Sequence, residues 1–261
     1  MTTTSPTSAR PAPRTRTVGA RTALARTELV LFLREPATTL FGILLPSAIL
    51  AGLGSVPALS EPSEMFGGMR FTDYFAPSLL AISIAVLGLQ TLPVGLASYR
   101  EKGILRRLSA TPVSPRAVLV AQLAINLATA ALGTALMVAV AVGVFGVPFP
   151  RHPLGFAAAF LLGTAAVFSL GLVAAAFAPK ARTANMIGTI LFMLTQFFAG
   201  VYLPKFLLPQ AVVEIGAYVP PGITAFQDAW TGDGPQPVQL LVMAAVAVVA
   251  TAVAARFFRW E

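Results

Sequence analysis

Residues Tyr99–Pro115 read YREKGILRRLSATPVSP and hold five of the 28 Asp, Glu, Lys and Arg residues in the chain. The runs on either side, 74–97 and 117–145, contain none of these four residue types. A membrane-crossing helix needs about 20 predominantly apolar residues, and both runs are that long. The stretch is therefore predicted to be a short basic connection between two helices that cross a lipid bilayer.

The composition of the whole chain agrees with this interpretation. Hydrophobic residues make up 56% of the 261 positions, charged residues make up 11%, and the mean hydropathy is +0.79. An ordinary soluble domain is about 25% charged. The chain has no cysteine, which excludes a disulfide scaffold, thiolate metal sites and a cysteine nucleophile.

Six stretches of the chain are long and apolar enough to cross a membrane, and none contains Asp, Glu, Lys or Arg. They are residues 37–57, 74–97, 117–145, 155–177, 184–203 and 238–255. The first stretch exceeds the apolar core of a usual signal peptide, so we expect it to be retained as a span. The pattern predicts an all-α membrane protein with six transmembrane helices.

The basic residues indicate the orientation of these spans. Six spans place both chain ends on one side together with the 98–116 loop, and that side holds 15 of the 18 Lys and Arg residues. The other side holds Arg70, Arg151 and Lys205. Because basic residues are retained in cytoplasmic loops, we expect both termini and the 98–116 loop to be cytoplasmic.

The chain before the first span divides into two parts. Residues 1–17 are rich in Thr, Pro and Arg and predict a disordered cytoplasmic tail. Residues 18–35 mix charged and apolar helix formers, which favours an interfacial amphipathic helix in the headgroup plane. Pro36 breaks this helix, so the six-span domain is expected to occupy residues 36–261.

The 98–116 loop can form a short helix of its own. Gly103 permits a bend, and Leu105 and Leu108 share a face of the turns that follow, while Arg106 points elsewhere. Two interpretations are open for this coupling helix. Either it inserts its apolar pair into a groove of a partner protein, or it is a basic anchor that touches lipid phosphates.

The 34 residues 204–237 after the fifth span mix apolar positions with Pro209, Pro220 and Pro221. They are too short and too interrupted to cross the membrane. We expect short extracellular helices that dip into or lie on the outer leaflet and close the outer mouth of the bundle. An ordinary folded loop is the alternative.

Residues suited to catalysis or metal binding are scarce. His152, the single histidine, lies in a Pro-bounded loop and is expected to be solvated. No span holds an ionisable residue of the kind that proton- or sodium-driven transporters use, and no G-x-x-x-x-G-K-[ST] motif is present. We therefore expect neither enzymatic activity nor a cofactor in this chain, and a separate ATPase subunit acting on the 98–116 loop.

Neutral polar and aromatic side chains inside the spans are candidates for contact with a transported molecule. They are Asn185, Thr189, Phe192 and Gln196 on one stripe of the fifth span, and Ser83 and Gln90 on one face of the second. They could line a path for an amphiphilic substrate or make hydrogen bonds between helices, and both interpretations stand. Close helix packing explains a small-residue face on the fourth span, formed by Ala159, Gly163, Val167, Gly171 and Ala175.

Three longer motifs occur in order along the chain. They are ELVLFLREPATTLFGILLP at Glu28–Pro46, YREKGILRRLSATPVSPRAVLVAQL at Tyr99–Leu123, and FFAGVYLPKFLLPQAVVEIGAYVPPGITAFQDA at Phe197–Ala229. The three motifs resemble the interfacial helix with first span, the coupling loop, and the Pro-rich signature of the ABC type-2 exporter permeases. The similarity is greatest to the daunorubicin-resistance-like membrane subunits, and it covers nearly the whole chain from Thr22 onward.

This resemblance implies a bacterial plasma-membrane permease that pairs with a second copy of itself and with two copies of an ATP-binding subunit, which would hold ATP and Mg²⁺. Coupling to the ATPase would involve Arg100, Glu101, Lys102, Leu105, Arg106 and Leu108. Arg34, Glu35 and Pro36 would form a hinge of the interfacial helix. The polar stripes would line a substrate path at the dimer centre, with an outer gate at Tyr202, Pro204, Pro220 and Pro221.

Together these features predict a permease that exports a hydrophobic or amphiphilic compound with energy from ATP hydrolysed on a partner. An antibiotic or another drug, as in multidrug efflux, is the first candidate cargo, and a lipid or glycan precursor is the second. A membrane anchor or sensor that transports nothing is the alternative from another class of protein.

Overall fold

The computed structural model describes residues 36–66, 68–104, 115–201 and 208–258. In these ranges the chain is helical and forms no strand beyond one isolated bridge between Pro62 and Arg70. The helices are α1 (Pro36–Gly54), α2 (Pro57–Ser60), α3 (Phe71–Glu101), α4 (Pro115–Gly143), α5 (Pro153–Phe177), α6 (Ala181–Phe198), α7 (Gln210–Gly216), α8 (Ile223–Trp230) and α9 (Pro237–Phe257). The predicted all-α membrane fold is confirmed.

Among the described residues, four helices are long and apolar enough to cross a membrane, namely α3, α4 from Ala117 onward, α5 and α9. The other two predicted spans correspond to α1, with 19 residues, and α6, with 18 residues. Both lengths lie within the range of a membrane-crossing helix, and the count of six crossings stays a prediction. The predicted tail 1–17 and interfacial helix 18–35, with Arg34 and Glu35, lie outside the described residues.

Side-chain contacts define the two ends of the helix bundle. At one end Arg70, just before α3, donates hydrogen bonds to the carbonyl oxygens of Phe145 (3.0 Å) and Gly146 (3.0 Å), just after α4. At the other end Arg100, in the last turn of α3, lies beside the end of α5 and against Phe258, which follows α9. The helices α3, α4, α5 and α9 therefore each run from one end of the bundle to the other, and α6 begins at the end that contains Arg100.

Charged residues divide between these two ends. The end at Arg100, which we name the basic end, carries Arg100, Lys102, Lys180, Arg182 and Arg256 beside the single acidic residue Glu101 among the described residues. The end at Arg70, which we name the acidic end, carries Glu61, Glu64, Asp73, Glu214, Asp228 and Asp233 beside Arg70 and Arg151 among the described residues. The long helices between them hold charges only in their terminal turns, as burial in hydrocarbon requires.

Helix α3 is the centre of the bundle. It contacts α1, α4, α5, α6 and α8, and its core side chains Leu80, Ile84 and Leu87 are about 1% exposed. The apolar residues at the periphery are exposed instead, for example Leu241 and Val248 on α9. An exposed apolar surface of this kind is stable in lipid and would be costly in water.

Helix α6 ends five residues before the predicted limit at 203. Gly200 has a left-handed backbone with φ of +74°. The N–H of Val201 donates to the carbonyl oxygen of Gln196 (3.1 Å) and that of Gly200 to Phe197 (3.0 Å). This is the Schellman arrangement, which ends a helix at a glycine, and an apolar sequence pattern alone does not predict it.

The two short helices α7 and α8 lie within the predicted outer segment 204–237. Phe226 and Trp230 on α8 are fully buried, and both rings pack edge-on against Phe156 at 5.5 Å. Trp230 Nε1 donates a hydrogen bond to the carbonyl oxygen of Pro148 at 2.8 Å. Helix α8 is therefore packed into the acidic end of the bundle, and the predicted position of this segment at the outer leaflet stays a prediction.

Candidate functional site

The predicted coupling residues follow directly from the central helix. Helix α3 continues to Glu101, beyond the predicted limit at 97, and ends at Gly103, whose φ of +65° is left-handed. The N–H of Gly103 donates to the carbonyl oxygen of Arg100 at 2.9 Å, and the side chain of Lys102 is exposed. Residues 105–114, which include Leu105, Arg106 and Leu108, lie outside the described residues.

Arg100 binds the C-terminal end of α5. Its Nη1 atom donates hydrogen bonds to the carbonyl oxygens of Ala175 (3.0 Å) and Ala178 (2.7 Å), and its guanidinium carbon lies 5.0 Å from the centre of the Phe258 ring. A cation at this position satisfies carbonyls that have no partner within the helix and interacts favourably with the helix dipole. Arg100 thus connects the ends of α3, α5 and α9.

Glu101 binds the N-terminal end of α6. Its Oε2 atom accepts a hydrogen bond from the backbone N–H of Ala181, the first residue of α6, at 3.0 Å. A carboxylate is favourable there because the first N–H groups of a helix lack intrahelical partners and carry partial positive charge. The turn between α5 and α6 has only three residues, 178–180, so Arg100 and Glu101 together hold both of its ends.

The middle of α3 departs from α-helical winding. Residues Val86–Thr91 form a π-helical segment, in which the N–H of Leu92 donates to the carbonyl oxygen of Leu87, five residues earlier. The next residue, Pro93, has no N–H to offer to the carbonyls of Gly88 or Leu89. A segment of this kind inside an α-helix is rare and is frequently found at functional sites.

The two carbonyls that Pro93 leaves without its N–H lie against glycines of neighbouring helices. A Cβ atom placed on Gly171 of α5 would collide with the carbonyl oxygen of Gly88, and one on Gly188 of α6 with that of Leu89. Small residues of this kind let helix backbones approach closely in a membrane. Gly163, on the same small-residue face of α5, also lies against a carbonyl oxygen, that of Pro221. Close packing along that face is confirmed.

The predicted stripe on α6 runs from an exposed end to a buried end. Asn185 is exposed, Thr189 and Phe192 are half-buried, and Gln196 is fully buried. Neither amide atom of Gln196 has a hydrogen-bond partner among the described residues. Leaving a buried polar group without a partner costs about 1–3 kcal/mol, so Gln196 is a polar group that packing alone does not explain.

Ser83 and Gln90 of α3 are both half-buried. The prediction that they share one face assumed α-helical winding, in which a seven-residue spacing returns to the same side. The π segment Val86–Thr91 lies between them and takes up an additional residue in its turn. Their common face therefore does not follow from the spacing.

Pro220 and Pro221 of the predicted outer gate are buried. Together with Gly222, whose φ is +83°, they form the turn that precedes α8. This turn is packed between Gly163 of α5 and Met243 of α9. The two prolines thus hold α8 in place within the bundle, while Tyr202 and Pro204 lie outside the described residues.

Arg70 makes a contact at the acidic end that resembles the one made by Arg100 at the basic end. Besides the two carbonyls after α4, it binds Asp73 through Nε (2.9 Å) and Nη2 (2.8 Å), and this hydrogen-bonded pair raises the pKa of Arg70 above its ordinary value. Both ends of α3 are thus connected to the C-terminal end of a neighbouring helix by an arginine. These contacts were not predicted from the sequence. A basic residue at either end of a buried helix is the pattern that would have indicated a contact with the end of a neighbouring helix.

Within the described ranges, no group of three or more His, Asp or Glu residues could hold a metal ion. The polar atoms that converge near the basic end are backbone carbonyls, one backbone N–H, a guanidinium group and a carboxylate. Such a set holds the ends of α3, α5 and α6 together.

A comparison with known protein families matches residues 20–226 to the family described as ABC-2 type transporter. No curated protein sequence matches the chain significantly. The family match spans more than three quarters of the chain, from the residues before α1 into α8, and includes the basic end of α3. The chain therefore belongs to the ABC-2 type transporter family, as a multi-pass permease subunit of the kind that works with an ATP-binding cassette subunit.

Proposed function

We propose that this permease moves a hydrophobic or amphiphilic compound out of the cell across a bacterial plasma membrane, with its basic end in the cytoplasm. An antibiotic or another drug is the leading cargo, as expected for the daunorubicin-resistance-like permeases that the sequence resembles. The proposed complex contains two copies of this chain and two copies of an ATP-binding subunit, which hold ATP and Mg²⁺.

The position of α3 is the observation that carries this proposal. The helix at the centre of the bundle leads, after only Lys102, Gly103 and Ile104, into the basic residues 105–114. A partner that displaces this stretch acts directly on a helix in contact with five others. Packed interiors deform little and transmit displacement, so this is an effective place to apply force.

The distribution of charge supports an external source of energy. The long helices carry Asp, Glu, Lys and Arg only in their terminal turns. Transporters that use proton or sodium gradients generally place ionisable groups within the bilayer, and the described helices offer no such relay. ATP hydrolysis on a separate subunit is consistent with this arrangement.

We place the substrate path along the polar stripe of α6, where Asn185 is exposed and Thr189 and Phe192 are half-buried. In the proposed dimer a second copy of the chain lies opposite this stripe, so the path is enclosed by two α6 helices. A mixed apolar and neutral polar lining suits a compound with both characters, because neither a charge nor a large polar group has to be desolvated.

The test is purification of the tagged chain from its native cells in mild detergent, with identification of bound proteins and an ATPase assay. We expect a stoichiometric ATP-binding subunit and ATPase activity stimulated by amphiphilic drugs. Leu105→Asp and Leu108→Asp should release that subunit. Arg256→Asp, a charge change at the basic end on α9, is the matched control and should retain it.

Two results would contradict the proposal. If the chain purifies alone or with a protein that lacks an ATPase site, the membrane-anchor alternative takes its place. If the ATPase is present but drugs neither stimulate it nor accumulate in inside-out vesicles with ATP, the cargo assignment is wrong, and lipid and glycan precursors become the compounds to assay.

A further inference from the structure

Two adjacent side chains at the basic end make opposite kinds of contact. Arg100 donates to the carbonyls of Ala175 and Ala178 at the end of α5, and Glu101 accepts from the N–H of Ala181 at the start of α6. Each charge faces the helix end of opposite partial charge. Reversing either charge would place like charges together at the same site.

The short connection between α5 and α6 makes these two contacts act as one. Only residues 178–180 separate the helices, so the turn cannot extend to absorb a displacement. Ala178 is fully buried, while Lys180 is exposed. We name the set Arg100, Glu101 and the turn 178–180 the α3 clamp.

The half of α3 nearer the acidic end is attached to helices other than α5 and α6. Arg70 binds the chain just after α4, and Ser78 accepts a hydrogen bond from Gln227 of α8 at 3.2 Å. Between these attachments and the α3 clamp lies the π segment Val86–Thr91, followed by Pro93. Sharp bends in helices occur at prolines and π segments, where the regular hydrogen-bond ladder is interrupted.

We propose that Arg100 and Glu101 are positioning residues that make the basic end of α3 and the α5–α6 turn move as one body, with α3 bending at Val86–Thr91. This inference rests on the proposed function, because the displacement comes from the ATP-binding subunit acting on residues 105–114. The motion thereby reaches α6, which carries the proposed substrate path, without passing through the acidic end.

The test uses the fact that the chain has no cysteine. Lys102→Cys and Arg182→Cys, both at exposed positions on either side of the α3 clamp, carry the only spin labels on this chain. The distance between the labels is measured by pulsed electron paramagnetic resonance in the complete complex, assembled with an ATP-binding subunit freed of reactive cysteines, without nucleotide and with ATP trapped. We expect the short distance between the two labels of one copy to be narrowly distributed and unchanged between the two states, apart from the longer distances between copies.

Glu101→Gln and Arg100→Gln should broaden this distribution and lower the transport per ATP hydrolysed by about fivefold or more, the factor that corresponds to one charge–dipole contact. Glu101→Asp, which keeps the charge, should broaden the distance distribution less and lower the transport per ATP less than Glu101→Gln does. Arg256→Gln, with the same loss of charge on α9, is the matched control and should change neither.

A label distance that changes between the two states in the otherwise unmodified complex would overturn the proposal. So would a narrow, unchanged distribution in Glu101→Gln and Arg100→Gln. If no ATP-binding subunit is found, the proposed function fails, whereas the distribution in the isolated chain still decides whether the α3 clamp holds.

Discussion

Gln196 is a buried glutamine in the last turn of α6. Its amide is fully buried, and neither its nitrogen nor its oxygen has a partner within the described ranges. The neighbouring Thr195 is also buried, but its hydroxyl donates to the carbonyl oxygen of Phe192 at 2.9 Å. The two residues therefore form a natural comparison between an unsatisfied and a satisfied polar group.

We expect Gln196→Leu to raise the thermal stability of the purified protein. The substitution removes a buried amide without a partner, which costs about 1–3 kcal/mol, and keeps a side chain of similar size. Drug-stimulated ATPase activity of the complex should fall in the same variant, because a polar group retained at a cost in stability is typical of a functional position. Thermal unfolding in detergent and the stimulated ATPase assay check the two effects.

Thr195→Val is the matched control, since it removes a hydroxyl that is already satisfied by its own helix. It should leave the unfolding temperature within about one degree of the original and drug stimulation intact. The carbonyl oxygen of Phe192, to which the Thr195 hydroxyl donates, is already satisfied within the helix. A drop in stability for Gln196→Leu would show that the amide is satisfied in the folded protein. Retained drug stimulation would remove Gln196 from the substrate path.

At the scale of helices, the contact between α3 and its neighbours depends on two glycines. A Cβ atom on Gly171 or Gly188 would collide with a backbone carbonyl of the π segment, whereas one on Gly52 of α1 meets no atom within 4 Å. Backbone atoms cannot move aside as the end of a flexible side chain can. The glycines are therefore required by packing and not by their own conformation.

We expect Gly171→Ala and Gly188→Ala each to lower the free energy of unfolding by about 1–3 kcal/mol through overpacking. Gly52→Ala should instead raise it by about 0.5–1 kcal/mol, because alanine loses less backbone entropy in a helix. Chemical unfolding of the three variants in detergent, followed by tryptophan fluorescence, measures the difference. Equal effects at all three positions would contradict the packing shown by the structure.

The helices differ in how well the sequence predicts them. Helices α3, α4, α5 and α9 coincide with uncharged runs, because a long apolar run has few stable alternatives in lipid. The end of α6 and the π segment were not predicted, since they depend on the backbone at Gly200 and on the missing N–H of Pro93. The contacts of Arg100 and Glu101 were not predicted either, because they depend on where the α5–α6 turn lies in space.

At the scale of the whole molecule, contacts at the two ends constrain how the helices cross. Helix α6 starts beside Glu101 at the basic end, and the chain after α9 returns to Arg100 at that same end. Helix α9 begins beside Asp228 at the acidic end and therefore runs the length of the bundle, whereas contacts place only the start of α6, at the basic end. Helix α6 is also shorter and more polar than α3, α4, α5 and α9, so its crossing is the one that most needs a test.

Single cysteines at exposed charged positions test this arrangement in intact cells, since the chain itself has no cysteine to react. Lys102→Cys and Arg256→Cys lie at the basic end, and Glu64→Cys and Asp233→Cys lie at the acidic end. A membrane-impermeant maleimide should label the acidic-end pair in intact cells and the basic-end pair only after permeabilisation, because basic residues are retained in the cytoplasm.

Val248→Cys, at an exposed apolar position of α9, is the control for lipid contact and should react under neither condition. The pattern distinguishes two errors. If the labelling of both pairs is inverted, the arrangement of the helices from α3 to α9 stands and the orientation is wrong. If Lys102→Cys and Arg256→Cys react on opposite sides, an odd number of helices crosses between them. Since α4, α5 and α9 are long and apolar enough to cross, α6 would then be the helix that does not cross.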